Sequence, residues 1–120
     1  MLIYLASPRP EAWREFRDGL GQEPGTEVAL AETGAEVLAM ARTRTPALVI
    51  VDNQLPDFKP FGLVLEIIKV NAMVQTAVVS ELSEEEFHEQ SEGLGIMAHI
   101  SPDLSAGEAG KLMDLLKILM

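Results

Sequence analysis

The sequence predicts an α/β fold: a doubly wound, five-stranded parallel sheet in the order 2-1-3-4-5, with helices on both faces. Three observations carry that prediction. Short apolar runs of strand length alternate with amphipathic stretches of helical length along the chain, which is the pattern of successive β-α units. The central run, residues 47–51 (ALVIV), is continuously apolar, as a strand covered on both faces must be. Ser/Thr-x-x-Glu boxes at Thr33–Glu36, Ser83–Glu86 and Ser105–Glu108 stand where helices must start, because hydroxyl and carboxylate together satisfy orphan amides of a first turn. Right-handed crossovers make such a sheet doubly wound. For five units the order 2-1-3-4-5 puts the switch point between the first and third strands.

The elements follow in order. Met1–Ala6 is the first strand, and Ser7–Pro10 is a loop with two prolines. Trp13, Phe16 and Leu20 recur at helical spacing, and Gly19, Gly21, Pro24 and Gly25 break that helix. Thr26–Ala31 is the second strand, and the box at Thr33 opens a helix to Arg44. Ala47–Val51 is the third strand. Pro60 suits a first helical turn and opens a helix to Ala72. Thr76–Ser80 is the fourth strand. The helix opened at Ser83 ends at Gly93 and Gly95. Ile96–Ser101 is a weaker fifth strand, and Ser105 caps a last helix to the end. No repeat, low-complexity linker or composition break divides residues 1–120, which read as one domain.

Composition narrows the chemistry. Apolar residues make up 48% of 120 residues, so the chain buries a real core. It has no cysteine, which excludes disulfides, zinc-thiolate sites and cysteine nucleophiles and fits a reducing compartment. The opening apolar run is too short for a signal peptide or membrane span, and the expected location is cytoplasmic. A formal net charge of −10 argues against nucleic acid and against anionic membranes as partners. It leaves plain solubility or a basic partner surface.

In a sheet of this order the chemistry sits in the crevice beyond the strand C-termini. Asp52, closing the third strand, is the carboxylate there. Ala6 and Ser7, Ser80 and Ser101 end the neighbouring strands.

The whole chain then resembles a response-regulator receiver domain, the CheY-like family on a flavodoxin-like topology. Val49–Asp52 resembles the family's third strand with its phosphoaccepting aspartate, and Pro56 matches its proline four residues on. Val78–Ser80 resembles the fourth strand with its hydroxyl residue. Ile100–Pro102 resembles the fifth, where the family has lysine before proline. The resemblance implies Asp52 as phosphoacceptor, Ser80 as the hydroxyl that grips the phosphoryl group, and the Gln54 carbonyl as a magnesium ligand. It also implies a histidine kinase or an output domain as partner.

The chain departs from that pattern at three places. The acid-pair positions fall on Ala6 and Ser7, the lysine position on Ser101, and the small residue after the hydroxyl on Glu81. Magnesium binds through carboxylates and waters, so its affinity falls when Asp52 is the sole acid. A phosphoryl group adds roughly −1.5 to −2 charges, which Glu81 repels and no lysine offsets. The expectation is a degenerate receiver, not an enzyme and without a cofactor, signalling through protein contacts with weak or no magnesium-dependent phosphorylation. The alternative is a working switch phosphorylated on Asp52 by a histidine kinase, with magnesium on Asp52 and the Gln54 backbone.

Other constellations have plainer readings. Glu84, His88 and Glu92 share a helix face that could hold a metal, but such a face is ordinarily solvated. His99 reads as a packed histidine. An Asp52–His99–Ser101 triad lacks the G-x-S-x-G elbow. A flavin-phosphate carrier needs loop amides after the first strand, which Pro8 and Pro10 lack. Glu81, Glu84, Glu85, Glu86, Glu89 and Glu92 make the fourth helix acidic. On the last helix Leu112, Leu115, Leu116 and Leu119 can cover the sheet. Met113, Ile118 and Met120 widen the apolar surface, which suggests a homodimer through the last two helices or docking to another domain.

Overall fold

The computed structural model describes residues 1–119; the expectation placed on Met120 lies outside them. Five strands, β1 (Leu2–Ala6), β2 (Glu27–Ala31), β3 (Leu48–Val51), β4 (Gln75–Val79) and β5 (Ala98–Ile100), form one sheet in the order β2-β1-β3-β4-β5. All four pairings are parallel. Five α-helices connect and follow them: α1 (Arg14–Leu20), α2 (Gly34–Thr43), α3 (Pro60–Val70), α4 (Glu84–Ser91) and α5 (Ala106–Leu119). The predicted order and crossover pattern are therefore those observed. Boundaries differ by at most two residues; both ends move inward at β5, where only Ala98–Ile100 pair with β4.

Alternation along the buried strands divides the interior. Ile3, Leu5, Leu48, Ile50, Ala77 and Val79 face α1 and α5, and meet Trp13, Phe16, Leu20, Leu112 and Leu116 there. Tyr4, Ala6, Val49, Val51 and Val78 face the other way, onto Val37, Leu63, Ile67 and Phe87 of α2, α3 and α4. β3 is buried at every position, which explains its unbroken apolar sequence.

The helix starts differ in how their boxes close. Ser83 and Glu86 of α4 form the reciprocal pair. At α2 the Thr33 hydroxyl accepts from the Glu36 amide, but the Glu36 carboxylate reaches the Glu32 amide instead. At α5 the Ser105 hydroxyl accepts from the Glu108 amide.

Two helix expectations need correction. Gly19 does not break α1. It lies inside the helix, where a Cβ would come within 2.8 Å of the Ala109 Cβ on α5. The glycine lets the two helices approach closely. On α5, Met113 joins the core, whereas Leu115, Ile118 and Leu119 are the exposed residues, at 44%, 78% and 54%. The stripe that covers the sheet is Leu112, Met113 and Leu116.

Candidate functional site

Three strand ends set the floor of the site. The Ser7 amide donates to the Ala31 carbonyl, the Asp52 amide to the Ala6 carbonyl, and the Ser80 amide to the Ile100 carbonyl. Each extends its strand's ladder by one step. The side chains of Ser7 and Asp52 are thus delivered to one place at the C-terminal edge of the sheet.

Asp52 is completely buried, and five donors hold its carboxylate. Oδ2 accepts from the Ser7 hydroxyl at 2.7 Å, Arg9 Nε at 2.9 Å and Trp13 Nε1 at 3.0 Å. Oδ1 accepts from Arg9 Nη2 at 3.1 Å and the Gln54 amide at 3.2 Å. Arg9 is bidentate, the strongest geometry available to an ion pair of this kind. The local sequence explains its position. After β1 the chain turns through Ser7–Pro10, where the Arg9 amide donates back to the Ser7 hydroxyl at 3.1 Å. Pro10 then begins a 3₁₀ turn, Pro10–Trp13, that seats Trp13 in the core with its indole N–H toward Asp52. Trp13 is locked edge-to-face against Phe16 at 5.2 Å.

Burial alone pushes the Asp52 carboxyl up. Hydrogen bonds from Arg9, Ser7 and Trp13, with the Arg9 charge, outweigh it and hold the group below the ordinary aspartate value. Asp52 is therefore an ionised, saturated anion. A carboxylate offers about four lone-pair directions, and five donors leave none free.

Sequence reasoning placed Ala6, Ser7 and Gln54 here, and the structure brings them to Asp52. It does not bring Ser80, Glu81 or Ser101 into hydrogen bonding with Asp52. The Ser80 hydroxyl accepts from the Leu82 amide at 2.9 Å, Glu81 is exposed, and the Ser101 hydroxyl faces the Asp103 amide at 3.5 Å. Ser80 and Ser101 instead border a polar hollow with Glu84, His99 and Glu108. The expectation of a pocket without positive charge is overturned: Arg9 supplies one, from β1's side and not from β5. Arg9 and Trp13 were missed because neither sits at a strand end. The available signal was a lone arginine between prolines directly after β1.

The other constellations resolve as well. His99 stacks on Phe87 with ring centres 4.2 Å apart, and its nitrogens face Glu84 Oε1 at 3.1 Å and the Ser80 carbonyl at 2.9 Å. It does not reach Asp52 or Ser101, so no triad forms. Glu84 turns to His99 rather than joining Glu92, and no metal-binding group of acids and histidines occurs among the described residues. Glu81 precedes α4 and Glu92 follows it, so the helix itself carries Glu84, Glu85, Glu86 and Glu89.

Magnesium, which the family resemblance implies, does not fit these residues. The two acid positions are the Ala6 methyl and the Ser7 hydroxyl, and that hydroxyl already donates to Asp52. A guanidinium lies against both carboxylate oxygens. A hard dication needs several free oxygen ligands, and here one saturated carboxylate faces a resident cation.

Among the described residues no helix is long and apolar enough to cross a membrane. No protein-family profile matches the chain, and no curated protein does. Solved structures do match. A CheY-like response regulator receiver domain protein from Methanospirillum hungatei JF-1 is 22% identical with a TM-score of 0.82, over 98% of this chain and 94% of that one. The chemotaxis response regulator CheY4 of Vibrio cholerae is 16% identical with a TM-score of 0.82, over 96% and 97%. The signal receiver domain of the putative response regulator NarL from Mycobacterium tuberculosis is 16% identical with a TM-score of 0.80, over 97% and 95%. With its sheet order, its five helices and these matches, the chain has the CheY-like fold of response-regulator receiver domains.

Proposed function

We propose that this chain is a receiver-type signalling module that acts through protein contacts, without magnesium-dependent phosphorylation of Asp52 and without enzymatic activity. The observation that supports this is the saturated carboxylate: Arg9, Ser7, Trp13 and the Gln54 amide take up both oxygens of Asp52. Attack on a phosphoryl donor needs a free lone pair and countercharge on the transferring oxygens. Freeing Asp52 means parting a bidentate ion pair that is buried on the carboxylate side, and the metal that would repay the cost finds no second acid at the Ala6 and Ser7 positions. In this chain the charge that neutralises Asp52 is the Arg9 guanidinium.

The module's signal then lies in its surface. The exposed Leu115, Ile118 and Leu119 of α5 and the acidic α4 offer a contact face to a second copy, a kinase or an output domain. A cytoplasmic setting accords with that role and with the absence of cysteine.

The test is intact-mass measurement after incubation with acetyl phosphate and magnesium. The expected outcome is an unmodified chain under conditions that saturate a phosphorylatable receiver. A stoichiometric phosphoryl adduct that disappears in Asp52→Asn would make the chain a working switch instead.

A further inference from the structure

Apart from the Asp52 site, a cavity of about 390 Å³ opens between the start of α3, the end of β4 and α4. Its wall is mostly carbon, supplied by Phe61, Val78, Val79 and Leu82, with Gly62 on the α3 side. Its volume falls in the range of sites for small organic molecules, about 300–1,000 Å³. Lys59 is the sole charged residue lining it. In a chain with 19 acidic and 9 basic residues, an acid-free wall with one lysine is a local reversal of charge. Lys59 has no acidic partner among the described residues, and its side chain makes no capping hydrogen bond to α3. The first-turn amides of a helix have no intrahelical acceptor, and Phe61 and Gly62 belong to that turn.

We infer that this cavity is a binding site for a small aromatic or aliphatic molecule carrying one anionic group, its apolar body against Phe61, Val78, Val79 and Leu82 and its anion beside Lys59. Asn53, next to Asp52, and Ser80, the hydroxyl position of the resemblance, border it, but none of the residues that donate to Asp52 lines it, so it stands whether or not Asp52 accepts a phosphoryl group. The resemblance gives Ser80 a role toward a phosphoryl group and assigns no ligand to the apolar wall.

The fluorescent acid 8-anilinonaphthalene-1-sulfonate is a suitable probe, since it pairs fused and single aromatic rings with one sulfonate. Titrated into the full chain, it should bind saturably at one site with blue-shifted emission. A Cβ at Gly62 meets no atom within 4 Å, so Gly62→Leu adds bulk at the lining of the cavity without a backbone clash and should weaken that binding. Lys59→Gln should weaken it about fivefold, the effect of one partly exposed charge pair. Ile118→Asp, on the separate apolar face of α5, should leave it unchanged. Amide chemical shifts of the unmodified chain should move at Phe61, Gly62 and Val79 on addition of the probe, a readout independent of any variant's folding. Shifts centred on Ile118 and Leu119, loss of binding in Ile118→Asp, or undiminished affinity in Gly62→Leu would overturn the site. Undiminished affinity in Lys59→Gln would overturn its preference for anions.

Discussion

At the scale of single residues, the chemistry of the crevice turns on one guanidinium. Ionised Asp52 is stable in a fully buried position because Arg9, Ser7 and Trp13 hold it. Its folded pKa is lowered, so the stability it contributes is complete above the unfolded aspartate value of about 3.9 and is lost as pH falls through the folded value. Arg9→Ala removes the countercharge and two donors, leaving burial to raise the carboxyl. Removing one partner of a buried pair costs about 3–5 kcal/mol; because the Arg9 side chain is 33% exposed, a loss of about 2–3 kcal/mol at pH 7 is expected. Without Arg9 the folded carboxyl moves up, so acid costs the variant less than it costs the unmodified chain, and the difference between them should shrink as the medium is acidified. Urea unfolding at neutral and acid pH measures this, and a difference independent of pH would show that Arg9 acts through packing alone. Asp52 was legible in the sequence because a carboxylate that ends a wholly apolar run has one place to go. Arg9 and Trp13 were not, because their roles depend on how a two-proline loop folds back over β3, and loop conformation leaves no periodic trace.

At the scale of elements, legibility followed the strength of the local physics. β1 and β3 are continuous apolar runs and β4 ends in one, and all three lie within one residue of their expected ends. β5 is three residues long and half-exposed at two of them, so its flanks looked like strand while only its centre pairs. Of the three boxes read from the sequence, the one at the start of α4 closes in both directions. Gly19 shows where propensity misleads. Glycine lowers helix stability by about 1 kcal/mol relative to alanine, which reads as a break, yet α1 runs through it. Packing against α5 is worth more than the propensity it sacrifices, because Ala109 and the Ala106 carbonyl come within 2.8 and 3.0 Å of the missing Cβ. Gly19→Val should therefore destabilise the fold, despite removing a glycine from a helix, by about 1–3 kcal/mol. Gly21→Ala provides the contrast, since its nearest contacts are at 3.6 Å. Thermal unfolding of the pair distinguishes the effects, and equal midpoints would mean that α1 and α5 separate at little cost.

At the scale of the whole molecule, two long-range properties oppose each other. The chain carries a net charge of −10, which repels a second copy, while α5 leaves Leu115, Ile118 and Leu119 open to solvent, which attracts one. The two respond differently to salt. Repulsion between like-charged protomers is screened with a Debye length of about 10 Å at 0.1 M and about 3 Å at 1 M, whereas apolar burial is not weakened by the same ions. A homodimer through α5 should for this reason form more readily at 1 M salt than at 0.05 M, the reverse of an interface built on ion pairs. Ile118→Asp puts a charge at the most exposed apolar position of that helix and should leave a monomer at both salt concentrations. Sedimentation equilibrium across the salt series measures this directly. A monomer throughout would take the homodimer away and leave the α5 face to a different protein. Dimerisation that weakens with salt would move the contact to complementary charges, for which acidic α4 and the few basic side chains of the chain are the available surfaces.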